Sequence, residues 1–463
     1  MKNPGRQGIL PLVFENSQRR DDVTARAGLA LVVEAARALG VDKAVEEHLM
    51  FRERRSGFAE AEKVEAIILL QSAGGECVED IRQLSADVGL ERMLDRTFPS
   101  PDSLHDFLAS FHEEELLKDR PSEGAFIPGE SRALTSLEAV NTKAVRRAGK
   151  SIKATVDLDA TVIESHKRQA LFHYKGGRGY QPVLAIWAEE DLILADEFRD
   201  GNVPAGMDPL TTAKKAFSAL PKTVQEYSFR GDSACYENHL LKWLMDFDRK
   251  EVKGTISFSI SADMTKELSL VCKQATSWKL LEDRLNETVE WAEVEFVPGD
   301  WSKNAKPLRY VALRMMAKQA DLFGVIKTKH LAVVSNRWEI TGPNLVRWHW
   351  EKAGTIEIAH DVMKNELGGG RLPSRLFGSN AAWYRMCGLT YNVLSYLRKV
   401  LPERLHRVHP KRLRFELFTM PAKISSDASE DLLIKSNAPA DLLDEIIGTR
   451  RKLLEDFESW QKS

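Results

Sequence analysis

The sequence predicts an α/β fold: a mixed sheet with packed helices, interrupted by a β-rich insertion and preceded by an all-helical N-terminal region. Three observations carry this. From residue 151 the chain reads β-β-β-α-β-α-β, with strands at 152–159, 181–187, 192–198, 223–230 and 254–260 and helices at 208–218 and 236–247. Through 24–118, apolar residues recur at helical spacing. Across 262–345 that rhythm gives way to β-like pieces at 291–296, 307–315 and 331–335. A chain of 463 residues exceeds one ordinary core. The predicted units are a helical region (1–120), a linker with a basic helix (121–150), the first part of the α/β core (151–261), the β-rich insertion (262–330), the second part of the core (331–400) and a basic segment with a C-terminal helix (401–463).

In order, residues 1–23 are polar and broken by Gly and Pro, and predict an arm or frayed tail. Leu29, Val32, Val33, Ala36 and Leu39 mark a helix over 24–40, stopped at Gly40. Phe58, Val64, Ile67, Ile68 and Leu70 mark another over 58–73, and Asp80 to Leu84 begins a short third. Ser103 is placed to cap a helix carrying Leu104, Phe107, Leu108 and Phe111. Such a helical unit suits either DNA binding in a groove or packing and dimerisation, and no recognition-helix signal chooses between them. Residues 119–130 form a turn-rich linker, followed by a helix over 131–147 ending in Lys143, Arg146, Arg147 and Lys150. The first three strands have short connections, one of them the acidic turn Glu189-Glu190-Asp191, and predict an antiparallel meander. Residues 343–366 read as largely helical, 368–370 are three glycines, and 376–399 form an apolar helix suited to core packing. The segment 398–414 is basic, 412–418 is strand-like, and 438–461 is a charged amphipathic helix.

Composition narrows the function. Hydrophobic residues make up 43% and charged residues 29%, a soluble balance. No apolar run reaches membrane-spanning length and no signal peptide is legible, so the expected location is cytoplasmic, with no membrane partner. Four scattered cysteines, Cys77, Cys235, Cys272 and Cys387, lack knuckle or redox spacing and fit buried thiols in a reducing compartment. A formal net charge of −2 excludes a uniformly cationic surface but leaves room for local basic grooves.

The chemistry centres on carboxylates. Asp159 ends the first strand in Asp157-Leu158-Asp159-Ala160-Thr161, and Asp232 follows the strand Tyr227-Ser228-Phe229-Arg230-Gly231. Side by side in one sheet, these strands bring both carboxylates to one edge. Asp157 shares a face with Asp159 but lies further from the strand end, in a supporting position. Glu357 is the leading third carboxylate, on a helix with Lys364 two turns further along nearly the same face. Three carboxylates suit two Mg²⁺ ions, with Mn²⁺ as substitute, and support in-line attack on a phosphodiester by water or a 3′-hydroxyl. The histidines form no zinc signature, and His360 reads as a neighbour of the site or a phosphate contact.

Three basic regions are candidates for DNA phosphates. The first is Ser165 to Gly179, with Lys167, Arg168, Lys175 and Arg178 in a hairpin with a Gly-rich end. The second is Lys327, Lys329, Arg337 and Arg347, with Trp338, Trp348 and Trp350 nearby, and the third is 398–414. Phosphate contacts give affinity without reading sequence. Aromatics beside cations suit stacking on an unpaired base.

These motifs resemble the DDE transposases of bacterial insertion sequences, in the branch with a β-rich insertion between the second Asp and the Glu, and most of all the thirteen-eighty insertion-sequence group. DLDAT supplies Asp159, FRGDSACY supplies Asp232, and IEIAHDVMKNEL supplies Glu357 and Lys364. Arg230 and Gly231 look like the family's lead-in to the second Asp. PSPDSLHDFLASF and the segment from Leu372 to Leu397 resemble the family's N-terminal and post-catalytic regions, so the resemblance covers nearly the whole chain. It implies a ribonuclease-H-like core, two Mg²⁺ ions held by Asp159, Asp232 and Glu357, and cut-and-paste movement of a DNA element. The implied partners are double-stranded DNA with terminal inverted repeats, target DNA and further copies of the chain assembled on paired ends. It adds Arg230 to a DNA-contact set that already holds Arg347 and Lys364, and implies association with the nucleoid. The family's Tyr and Arg ahead of the Glu fall here on Trp350 and Ala353, which leaves Lys352 or Arg347 to supply the charge. The alternatives are a related metal-dependent nuclease without strand transfer, and a non-catalytic DNA-binding protein on the same fold.

Overall fold

The computed structural model describes residues 22–49, 57–121, 123–299, 301, 306–319, 325–426 and 432–461. The expected N-terminal arm lies outside these residues except for 22–23. The centre is a nine-stranded mixed sheet. Its strands are β1 (Lys153–Ala160), β2 (Val183–Trp187), β3 (Leu192–Glu197), β4 (Glu226–Gly231), β5 (Ile256–Ser261), β6 (Lys279–Asp283), β7 (Glu287–Val294), β8 (Arg309–Ala317) and β9 (Thr328–Ser335). The order across the sheet is β6-β7-β8-β9-β5-β4-β1-β2-β3. β1, β4 and β5 run parallel, while β2 is antiparallel to β1. Every residue of β2 and β3 is buried, because the sheet is covered on both faces and their apolar runs are continuous rather than alternating.

The β-rich stretch is the antiparallel meander β6–β9, which joins the same sheet through β9 against β5. One of its faces has its own small core, where Val289, Val311, Leu313 and Val333 meet Leu345 and Val346. Those two residues lie on the helix Gly342–Trp350, so the meander seats the helical segment that leads to Glu357. A helix at Lys266–Gln274, within the stretch read as β-rich, was not legible in the sequence.

The helix Phe377–Val400 is buried at every position except Phe377 and Lys399. Several of its polar residues pair inside the core, while among the described residues Ser379 Oγ and the Tyr384 hydroxyl meet no hydrogen-bond partner. Arg385 pairs with Asp196 and Glu130, and Asn392 bonds the backbone of Ile193 and the side chain of Asn141. The helices of 24–118 pack onto it, with Gln71 bonded to Thr390, and their apolar residues belong to the same core as the sheet.

Several local expectations need correction. The helix expected over 24–40 is shorter, Ala30–Ala38, and does stop before Gly40 at φ +65, after which a second helix, Val41–His48, follows that was not read from the sequence. The cap of Pro101–Ala109 is Ser100, whose Oγ accepts from Ser103 N, with Pro101 opening the helix. Residues 412–418 are helical, not a strand: Leu413, Leu417 and Phe418 are buried at helical spacing while Phe415 is exposed. A strand pair follows instead at Ala422–Ser426 and Leu432–Ser436.

Candidate active site

The parallel register of β1 and β4 pairs Asp157 with Arg230 and Leu158 with Gly231. The next residue on each strand is Asp159 and Asp232, so both carboxylates emerge at one sheet edge. Asp159 Oδ1 accepts from Ala160 N at 2.9 Å, and Asp232 Oδ1 accepts from Ala234 N at 3.0 Å. Burial, then the charge of Asp159, holds the Asp232 carboxyl above its usual range. Lys352 Nζ lies 3.3 Å from Asp159 Oδ2. Burial opposes its charge, but Asp159 and Asp232 outweigh burial, and the ammonium is held above its ordinary range.

Glu357 sits in the first turn of the helix Ile356–Asp361 and is exposed. Lys364 reaches back from beyond that helix, donating to Val162 O at 2.9 Å and Thr161 Oγ1 at 3.3 Å, which fixes the helical segment over the end of β1. His360 is buried beside Asp159, with neither ring nitrogen hydrogen-bonded, and burial pushes its pKa down to about 4. Among the described residues, Asp159, Asp232 and Glu357 do not close into one cluster. The group whose ligand atoms lie within 4.8 Å of one another is Asp361, Glu366 and His409. Both oxygens of Glu366 there are already engaged, by His409 Nδ1 and Lys411 N, each at 2.8 Å.

Asp157 is fully buried and takes no part in the open edge. Arg230 Nε and Nη2 donate to its two oxygens at 2.6 and 2.9 Å, and Thr355 Oγ1 donates to it as well. Arg230 also bonds Trp348 O at 2.8 Å and Glu351 at 3.0 Å. This knot ties β1 and β4 to the segment carrying Lys352 and Glu357. Arg230, expected to touch DNA, is 2% exposed and committed to Asp157, so it cannot reach a phosphate.

Other expected DNA contacts divide in the same way. Lys167 donates to the carbonyls of Leu372 and Ser374, the latter at 2.6 Å, so it is a structural tie. Arg178 bonds Arg168 O and Ala170 O and stacks 4.4 Å over Phe172. Arg168, Lys175 and Arg347 are exposed. In the third basic region, Arg398 and Lys399 pair with Asp191 and Glu190 of the acidic turn. Arg404 and Arg412 pair with Glu416, and Arg414 bonds Ser72 O at 2.8 Å. Much of that charge holds the C-terminal segment to the core.

A cleft of about 540 Å³ opens beside the carboxylates. One wall is the loop 201–205, which carried no sequence signal, and the other is the hairpin with Phe172, His173, Tyr174 and Lys175.

Asp159 and Asp232 thus stand at neighbouring parallel strand ends, beside the helix that bears Glu357 and an open cleft. A family model described as "Transposase DDE domain group 1" matches residues 16–446, and the chain belongs to that family, whose domain is that of a polynucleotidyl-transferase type of enzyme. No curated protein matches the chain. Among solved structures it is similar to a piggyBac transposase in a synaptic complex with hairpin DNA. That match has 12% identity and a TM-score of 0.42 over 84% of this chain and 77% of the other. No helix of the described residues is long and apolar enough to cross a membrane.

Proposed function

We propose that this transposase cleaves and joins DNA at the inverted-repeat ends of an insertion sequence by a cut-and-paste route, with Asp159, Asp232 and Glu357 as the catalytic carboxylates. The observation that carries this is the register that puts Asp159 and Asp232 at adjacent ends of β1 and β4 in a chain of the DDE transposase family. The strand order β3-β2-β1-β4-β5, with β2 antiparallel, supports a ribonuclease-H-like core, and β6–β9 fit the insertion expected of the thirteen-eighty branch.

Asp159 and Asp232 bring hard carboxylate oxygens to one sheet edge beside the Lys352 ammonium, and with Glu357 moved in from its helix they would suit two Mg²⁺ ions. Bound there, such ions polarise the scissile phosphodiester and lower the cost of generating the attacking oxygen. Asp159 and Asp232 would hold them from the sheet edge, and Glu357 would complete the set from its helix. Lys352 shifts its charge from Asp159 towards substrate phosphate, in the role the family gives to Arg at the position of Ala353. Lys364 holds the helix over β1, and Arg168, Lys175 and Arg347 contact flanking phosphates. The helical region 1–120 binds the element's end, and further copies of the chain assemble on paired ends and capture target DNA at the nucleoid.

The test is cleavage of element ends in Mg²⁺, followed by joining of pre-cleaved ends to target DNA. Asp232→Asn should lower cleavage at least a thousandfold while end binding stays within a few-fold of wild type. Normal cleavage by that variant removes Asp232 from the site, and hydrolysis without joining by the wild type moves the reading to a nuclease.

A further inference from the structure

One wall of the cleft is the loop 200–206. Its ends are drawn together by Arg199, which precedes it and donates to Met207 O at 2.6 Å and Asp208 O at 3.0 Å. Between those ends, Gly201 to Ala205 line the cleft beside Asp159 and Asp232. A Cβ on Gly206 would lie 3.2 Å from Ala234 O, so the loop packs against the turn that follows Asp232. What holds its other side is the linker that leaves the N-terminal helices. Arg120 Nη2 meets Asp200 Oδ2 at 2.6 Å, and Asn202 Nδ2 donates to Gly124 O at 2.7 Å.

The contact with Arg120 is close but poorly satisfied. Asp200 is 1% exposed, yet among the described residues neither of its oxygens, nor Arg120 Nε, is in an aligned hydrogen bond. A carboxylate taken out of water beside one ill-aligned cation is costly. Burial outweighs Arg120 and pushes the Asp200 carboxyl up to about 6. The other groups facing it give no relief. Tyr180, opposite Asp200 in a β-bridge, has its phenol pushed up by burial and by the Asp200 charge. Arg199 is committed to Glu197 and the two carbonyls. Linkage then gives the sign. A carboxyl whose folded pKa is raised favours the closed loop while protonated, and disfavours it as pH rises through about 6. At neutral pH the closed loop therefore depends on the Arg120 charge.

We infer that Arg120 and Asp200 are positioning residues for the carboxylate edge: the linker from the helical region holds the loop 200–206 as a wall of the cleft, and the wall opens when that cation is withdrawn. The inference rests on the reading of the Asp159–Asp232 edge as the working site. It adds a route by which the helices of 24–118 act on the cleft without touching it.

The experiment is amide hydrogen exchange of the full chain, corrected for intrinsic rates, at about pH 8 and about pH 5. At the higher pH, R120M should raise exchange across 201–207 about tenfold and leave β3 unchanged. R120K keeps the charge and should stay within about twofold of wild type. At the lower pH, R120M should return to wild-type protection, because Asp200 is then neutral. D200N needs no cation, so R120M added to it should change loop exchange by less than about twofold. Wild-type exchange of the loop in R120M at the higher pH overturns the inference. An effect that persists in the D200N background or at the lower pH overturns it too, since that is lost packing rather than a lost charge. So does a rise spread over β3 and the long helix. Cleavage of ends in Mg²⁺ is read beside the exchange, and should fall about tenfold in R120M and recover in R120K and in R120M/D200N. A wild type that never cleaves ends sinks the transposase reading and leaves the hold of the linker on the loop standing. A wild type that cleaves ends, with R120M cleaving equally well, sinks only the positioning role.

Discussion

At the scale of single residues, the site is held by a pair that does no chemistry. Asp157 is fully buried, and its two oxygens accept from Arg230 and Thr355. A buried pair gains little over an apolar substitute, but removing one partner strands the other charge, at about 3–5 kcal/mol. Arg230→Met should therefore cost about that much in denaturant unfolding, and Asp157→Asn a similar amount. Lys352→Met should act in the opposite sense on metal response. Without its ammonium, Asp159 and Asp232 repel each other, so stability without divalent ions falls while the rise in melting temperature on adding Mg²⁺ grows. An equal Mg²⁺ shift in wild type and variant would separate Lys352 from the ion site. The placing of Asp159 and Asp232 at neighbouring strand ends, with Asp157 two residues before the first, was legible because it follows from strand period and strand end. The commitment of Arg230 and Lys167 to internal bonds was not, since a basic residue beside an acidic motif reads the same whether it faces DNA or a carbonyl.

At the scale of elements, the strands of the α/β core were legible to within a few residues, because continuous apolar runs bounded by turns admit few alternatives. The short helix Lys266–Gln274 and the strand pair near the C-terminus were not. Each is a small piece whose placement depends on tertiary neighbours rather than on its own period. The long helix was read correctly as core, but its partners on the N-terminal side were invisible in the sequence. Gly378 shows how close that contact is. A Cβ there would lie 2.4 Å from Phe111 O and 2.5 Å from His112 Cα. Both are backbone atoms and cannot swing aside. Gly378→Ala should therefore destabilise the protein by about 1–3 kcal/mol through overpacking, measured by chemical denaturation. A neutral result would show that the 24–118 helices do not dock on the long helix as described.

At the scale of the whole molecule, the net charge of −2 carries little information about DNA, because internal pairing decides which cations remain available. Arg230, Lys167, Arg398, Lys399 and Arg414 are committed within the chain. Arg168, Lys175 and Arg347 stay at the surface. Each phosphate neutralised releases counterions, so the logarithm of the binding constant falls with the logarithm of salt by about 0.9 per contact. Replacing Arg168, Lys175 or Arg347 with Gln should therefore each reduce that slope by about 0.9 in equilibrium binding to duplex DNA across a salt series. Lys167→Met, which removes the same formal charge from the same hairpin, should leave the slope unchanged, because its ammonium is bonded to the Leu372 and Ser374 carbonyls. The two outcomes compare cations a few residues apart in sequence and identical in any count of charge. A slope that drops equally for Lys167 and Lys175 would mean that the hairpin rearranges on DNA and that the internal bonds do not set its binding face.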